Sequence, residues 1–447
     1  MAKAIITILG MINNDKATYE LKHKKFQAIN TLSLLISNYV DEYEIRTIST
    51  KEALDVQKQV LKRENIDEHL LDQNVLLDQD EDYDVVFKKI NGLLTMYDEV
   101  IIDVSHGFRH LPILMIINLI VENIINPDKI KSIYFAKEVS PHTTYEIIDL
   151  VEYLDISIIA FTLARFSENY TVSNNVKLHN KEYQQLLNNL SKFSHNILAN
   201  SFKNLLEPSS MTKRSLIEET IKSIDDLQRN NKHIGNLEQY LKKVKEHLAE
   251  MQSFQKLNEY EKLYNFSKIM LDKWYLLNAI TLLNEAVGLY CMHAFCKFDK
   301  SIDMHFKQFI AKDKQGLYIA SNESSSILKH TFNFDHMKAK MIRESDSKII
   351  EEKLNLIKKG KDLSYENFIK LVINISNLRN NLAHGNSGEV LTTVQGEIKK
   401  YLQQFNALCL EKNILAEYTG VLPQEVVKKP LKDKVPYITK SGIKKKI

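Results

Sequence analysis

Cysteine is scarce in this chain: Cys291, Cys296 and Cys409 are the only three, with no CxxC and no pattern of pairs. That argues against a disulfide scaffold or a zinc site, so no metal is expected, and it fits a reducing cytoplasm. Charge of one sign is lacking too. The 60 basic residues nearly cancel the 57 acidic ones, leaving a net charge of +3, so no global field calls for nucleic acid. Long apolar runs are missing as well. The longest, around Leu111 to Val121, contains Pro112 and Asn118 and falls short of the roughly 20 residues that a membrane span needs. The opening run Ala4-Ile-Ile-Thr-Ile-Leu-Gly10 is too short for a signal peptide and reads as a strand. The expectation is a soluble, cytoplasmic protein without a membrane partner.

What is present is, first, length. A chain of 447 residues should hold two or more domains, each able to bury a core. The first third alternates strand and helix. Ala4–Leu9 is a continuous apolar run ended by Gly10, as in a buried parallel strand. Then follow a helix pattern at Phe26–Tyr39, a strand at Tyr43–Ile48, helices at Lys51–Lys62 and Val85–Met96, and a strong strand at Glu99–Val104. An apolar helix from Arg109 to Ile124 and a strand at Lys131–Ala136 complete the series. This order predicts an α/β, Rossmann-like, doubly wound parallel sheet, with Phe135–Leu150 as a hairpin added at its edge. The rest reads as all-α. Lys181–Met251 has helix-like spacing, Leu271–Phe295 is one long apolar helix, and Gln315–His336 is polar and irregular, a loop. The expected divisions are 1–173, 174–256, 257–420 and a basic tail, 421–447. From Lys428 onward the tail has eight lysines against one acid: either a mobile, solvated end or an arm for RNA phosphate.

In a doubly wound sheet, ligands sit beyond the carboxyl ends of the strands, where strand order reverses. Two loops qualify. One is Gly10-Met-Ile-Asn-Asn-Asp-Lys-Ala-Thr-Tyr19; the other is Asp103-Val-Ser-His-Gly-Phe-Arg109. Neither contains GxGxxG, which disfavours an ordinary dinucleotide site. The second combines an acid, a hydroxyl, an imidazole, a glycine and an arginine opening a helix, which suits an anion such as phosphate. Asp103 has two readings, as part of such a site or as a cap on the next helix.

The second motif lies near the other end. The run Tyr365–Leu378 places Phe368, Leu371, Val372, Ile375 and Leu378 on one helical stripe, followed by Arg379-Asn380-Asn381-Leu382-Ala383-His384-Gly385. Gly385 is the expected left-handed cap. Chemically the set suits RNA cleavage. His384 can move a proton at a ribose 2′-hydroxyl or a leaving 5′-oxygen, and Arg379 offers a fork of donors to a phosphate gaining charge. Asn380, one turn back from His384, would orient its ring. On an ideal helix Arg379 and His384 are about 140° apart, so a joint site needs a distorted helix end or a second copy of the chain. Spacing alone is weak: Arg63 and His69 make a similar pair by chance. Glu285, on the long apolar helix, either touches this site or lies at the surface.

Asp103-Val-Ser-His-Gly-Phe-Arg-His-Leu-Pro112, with Ile-Leu-Gly10 and Ala-Thr-Tyr19 upstream, resembles the hallmark of one group of CRISPR-associated Rossmann-fold (CARF) proteins. Arg379-Asn380 with Ala383-His384 resembles the Arg-x4-6-His motif of HEPN ribonucleases. Together they resemble the ancillary CARF–HEPN ribonucleases of type III CRISPR systems, in which 1–173 would be the CARF domain and 257–420 the HEPN domain. The middle, 174–256, carries no such likeness and reads as a helical linker. The resemblance implies a homodimer or an assembly of dimers whose paired CARF domains bind a cyclic oligoadenylate, four adenosines favoured over six. It implies that this switches on cutting of single-stranded RNA without a metal or other cofactor, leaving 2′,3′-cyclic phosphate and 5′-hydroxyl ends, with no stable DNA binding. Carried over, Asp103, Ser105, His106, Gly107 and Arg109 would line the ring pocket, with Gly10, Met11, Asn13 and Thr18 opposite, while Arg379, Asn380 and His384 would be catalytic. Two other readings stand beside it: a nucleotide-sensing regulatory protein without nuclease activity, and a CARF domain that also degrades its own ligand through His106 or Ser105.

Overall fold

The computed structural model describes residues 2–78, 80–107, 110–173, 176–230, 235, 237–312, 315–329, 341–385 and 388–416, with the backbone alone at 361 and 362. Phe108, Arg109 and the expected basic tail therefore lie outside the described residues. The chain forms two compact units, Met1–Leu282 with Glu389–Ile398, and Leu283–Gly388 with Lys399–Ile447.

The first unit opens with β1 (Lys3–Ile8), β2 (Ala17–Leu21), β3 (Lys24–Ala28), α1 (Thr31–Tyr39), β4 (Glu44–Ser49), α2 (Lys51–Arg63) and β5 (Val75–Leu76). It continues through α3 (Tyr83–Thr95), β6 (Glu99–Asp103), α4 (His110–Ile125), β7 (Ile130–Ser140), β8 (Thr144–Asp149) and α5 (Val151–Asn169). The strands make one sheet in the order β3-β2-β8-β7-β6-β1-β4-β5. Period-two alternation assigns each side chain of β1 to a face. Ala4, Ile6 and Ile8 pack with Val100, Ile102, Met115 and Leu119, while Ile5 and Leu9 pack with Leu32, Leu35, Ile101 and Leu61. Helices α3 and α4 thus cover one face, and α1 and α2 the other.

The sheet departs at one side from the expected parallel sheet with an edge hairpin. The β7–β8 hairpin turns where expected, but it is not at the edge: β8 pairs in parallel with β2, and β2 pairs antiparallel with β3. The segment expected to begin a helix at Phe26 is therefore strand β3, and the helix starts only at Thr31, where the Asn30 side chain accepts from Ser33 N. The β2–β3 turn is Lys22-His23, both with positive φ (51° and 66°). Two left-handed residues match the twist of a two-residue hairpin, but the usual Asn-Gly signature is absent.

Helices α6 (Lys181–Leu198), α7 (Phe202–Leu206), α8 (Leu216–Asn230), α9 (Glu238–Ser253) and α10 (Glu259–Asp272) follow. The single helix expected from Leu271 to Phe295 is broken. After α10, Trp274 takes φ 65°, and α11 (Leu276–Phe298) begins. The residues beside the break are engaged elsewhere: the Lys273 ammonium donates to Ser167 O, and Tyr275 OH donates to Asn169 O at 2.6 Å. Both carbonyls belong to the last turn of α5, whose free acceptors need partners. Among the described residues α11 alone is long and apolar enough to cross a membrane, and 67% of that stretch is buried in the fold.

The second unit packs α12 (Lys300–Lys312), α13 (Gly316–Lys329) and α14 (Glu344–Ala383) with the larger part of α11, and α15 (Leu391–Phe405) runs on into a π-helical turn at Asn406–Glu411. Tyr365, Phe368, Leu371, Val372 and Ile375 are all at most 5% exposed, so the α14 stripe is core. Tyr290 of α11 meets Phe368 edge to face, centroids 6.0 Å apart. The segment expected to be a loop, Gln315–His336, is the helix α13 up to Lys329, and 330–336 lies outside the described residues. Its serines satisfy themselves on their own helix, as where Ser324 Oγ donates to Ala320 O at 2.7 Å.

Candidate functional site

After β1 the chain lays the β2–β3 hairpin at the far edge; the parallel strands then run outward from β1 to β4 and β5, and resume on the other side of β1 at β6 and β7. Strand order therefore reverses between β1 and β6, the place where open α/β sheets gather ligands. The loops after these two strands touch. A Cβ on Gly10 would stand 3.1 Å from Gly107 N and 3.2 Å from His106 Cβ. Gly107 has φ +100°, and a Cβ there would fall 2.3 Å from Ile8 Cγ2, so both backbone and space demand glycine.

Asp103 is fully buried opposite Thr7 of β1. Its Oδ2 accepts from Thr7 Oγ1 at 2.8 Å and from Thr31 Oγ1 at 2.7 Å; its Oδ1 accepts from Ser105 N at 3.0 Å and Ser105 Oγ at 2.5 Å. The carboxylate ties the strand, the loop and the start of α1 together. Ser105 is committed in the same way, since its Oγ also accepts from Ala136 N at 2.8 Å.

His106 differs. Its Nε2 is buried and has no hydrogen-bond partner among the described residues. Burial lowers its pKa, against the opposing pull of Asp103, which favours a neutral imidazole. A buried polar atom without a partner calls for an explanation, and a ligand group is one.

Across the crevice, the loop after β1 is held by a residue that sequence reading passed over. Gln57 of α2, 2% exposed, donates from Nε2 to Gly10 O at 2.7 Å and Ile12 O at 3.0 Å, while its Oε1 accepts from Asn30 Nδ2 at 2.6 Å. The signal was a glutamine on the buried stripe of α2 with Ala53, Val60 and Leu61. Met11 is 57% exposed, and Asn13 accepts from the Arg63 guanidinium. Arg63, set aside above as half of a chance pair, thus stands at this loop, while His69 bonds Asp72. Thr18 belongs to β2, where it pairs with Thr144 and accepts from Gln27 Nε2 at 2.8 Å. Arg109 is outside the described residues.

In the second unit, α14 ends as expected. His384 is the capping residue, its N–H donating to Asn380 O at 3.0 Å, and Gly385 follows with φ +66°. Arg379 is half-buried, while Asn380 and His384 are exposed. Asn380 Oδ1 accepts from Arg379 Nη1 at 3.2 Å, and among the described residues no side-chain hydrogen bond joins His384 to either neighbour. Glu285 is half-buried on α11 rather than at the surface. Burial raises its carboxyl pKa, and the Arg379 cation acts in the opposite sense. Lys329, from the segment taken for a loop, donates to Ser376 Oγ at 2.9 Å, one turn before Asn380. Among the described residues no three His, Cys, Asp or Glu side chains are grouped to hold a metal ion. No family model matches the chain, and no curated protein matches it.

Proposed function

We propose that this chain is an endoribonuclease that cuts single-stranded RNA when a cyclic oligoadenylate occupies the crevice between β1 and β6, in the manner of the CARF–HEPN ancillary ribonucleases of type III CRISPR defence that its motifs resemble. The observation that carries this reading is the end of α14. An arginine with no carboxylate at ion-pair distance among the described residues sits five residues before an exposed histidine, on a helix anchored by a buried stripe. In the reaction the 2′-oxygen loses its proton to an imidazole and bonds to phosphorus, and the bond from phosphorus to the 5′-oxygen breaks. A second imidazole protonates that oxygen, leaving a 2′,3′-cyclic phosphate and a 5′-hydroxyl. His384 from each of two copies supplies the two proton transfers, and Arg379 stabilises the charge on the phosphoryl oxygens.

A homodimer is supported by the outer face of α4. Ile113, Ile117, Val121 and Ile124, spaced to share a stripe, are 44–60% exposed. Such a face calls for a partner, and a two-fold axis pairs it with itself. Ile117→Glu is expected to convert the dimer to a monomer at micromolar concentration, read by light scattering, and to abolish activator-dependent cutting. An unchanged dimer mass removes α4 from the interface.

The decisive experiment incubates labelled single-stranded RNA with the full-length chain in EDTA, with and without cyclic tetra- and hexa-adenylate. Cutting that needs the activator, with 2′,3′-cyclic phosphate ends, supports the reading. Tight ring binding without RNA cutting leaves a regulatory protein, and decay of the ring itself assigns hydrolysis to the His106 loop.

A further inference from the structure

A second cation stands beside Arg379, and the mechanism above does not use it. Lys329 is the last residue of α13, and Gly288 explains how it arrives there. A Cβ on Gly288 would lie 2.7 Å from Ser321 O, so α11 and α13 cross at backbone distance. Two turns beyond Ser321, the Lys329 ammonium reaches α14 and donates to Ser376 Oγ at 2.9 Å. Ser376, Asn380 and His384 follow at four-residue steps and so form one ridge along α14. Lys329 stands at one end and His384 at the other, with Arg379 bonded to Asn380 between them.

The charges on this ridge are not balanced. Burial lowers the Lys329 amine pKa, the Cys291 thiol opposes that, and the Arg379 cation lowers it further, so the two cations feel each other. Among the described residues neither has a carboxylate at ion-pair distance. Glu285 acts on Arg379 from farther off, and burial weakens its tendency to ionise. Two like charges drawn together in a half-buried place repel, and an arriving anion relieves that repulsion. A serine hydroxyl, which can donate as well as accept, holds the amine without neutralising it.

We propose that Lys329 is a further substrate-binding residue, gripping an RNA phosphate adjacent to the one being cut. Ser376 lies two turns, about 12 Å, from His384, too far for both to serve one phosphate. This rests on the ribonuclease reading, and the test separates the two. Anisotropy of a labelled single-stranded oligoribonucleotide is followed over a range of salt, with saturating cyclic oligoadenylate, for the full chain carrying His384→Ala. Lys329→Met, Lys329→Gln and Lys329→Arg are then added to that background. Losing one phosphate contact is expected to weaken binding roughly tenfold and to lower the slope of log K against log salt by about 0.7. Lys329→Gln should match Lys329→Met, because it can still bond Ser376 but carries no charge, and Lys329→Arg should keep the slope. Equal slopes for Met and parent overturn the proposal, with or without loss of affinity, while leaving the ribonuclease reading in place. A parent that does not bind RNA overturns both.

Discussion

His384→Ala is expected to lower activator-dependent RNA cleavage by about 10²- to 10⁴-fold, the range that a positioned general acid or base contributes. The loss should fall on kcat, because the ring transfers protons and adds little to substrate affinity. It should leave the fold alone. The ring is exposed, and the helix end is closed by the His384 N–H to Asn380 O and by the left-handed Gly385, neither of which needs the imidazole. The unfolding free energy should therefore change by no more than surface substitutions cause, about 0.5 kcal/mol. Cleavage is followed by gel in EDTA, and stability by circular dichroism. Full activity in His384→Ala would remove the imidazole from the chemistry. Asn380→Ala is the informative companion. Because Asn380 bonds Arg379, its effect should resemble a weakened Arg379→Ala rather than a weakened His384→Ala.

Asp103→Ala should destabilise the first unit on the order of 4 kcal/mol. The substitution strips one acceptor from four donors, the Thr7, Thr31 and Ser105 hydroxyls and the Ser105 N–H, in a place with no solvent exposure to replace it. Asp103→Asn should cost less, because the amide oxygen keeps two donors and the hydroxyls facing the NH2 can turn to accept. Urea unfolding of both variants checks this. A midpoint for Asp103→Ala equal to that of the parent would show that the network carries little. The ordering separates positioning from contact: Asp103→Asn should still bind cyclic oligoadenylate below its unfolding midpoint, whereas a residue that touched the ring would lose binding even when folded.

Much of this was legible where one periodicity dominates. The buried stripe Phe368 to Ile375 and the Gly385 cap are visible as spacing, and β1 and β6 as apolar runs. The misses share a cause: the deciding partner is distant in the chain. The tie of Asp103 to Thr7 and Thr31 spans 96 and 72 residues, so no local pattern shows it. Thr18 looks like loop until β8 pairs with its strand. The serine-rich α13 has loop composition, but small residues are what a helix needs where Gly288 lets a neighbouring backbone come close, and Lys329 was lost with it. Trp274 parts α10 from α11 with neither glycine nor proline, because Lys273 and Tyr275 are committed to the end of α5.

That break also carries the sole tryptophan of the chain, 54% exposed, between the two residues that close α5. Its indole is therefore a native optical probe of this one joint, undiluted by any other. Emission that changes colour when ring nucleotide is added would report movement there, in the unaltered protein and without a dye.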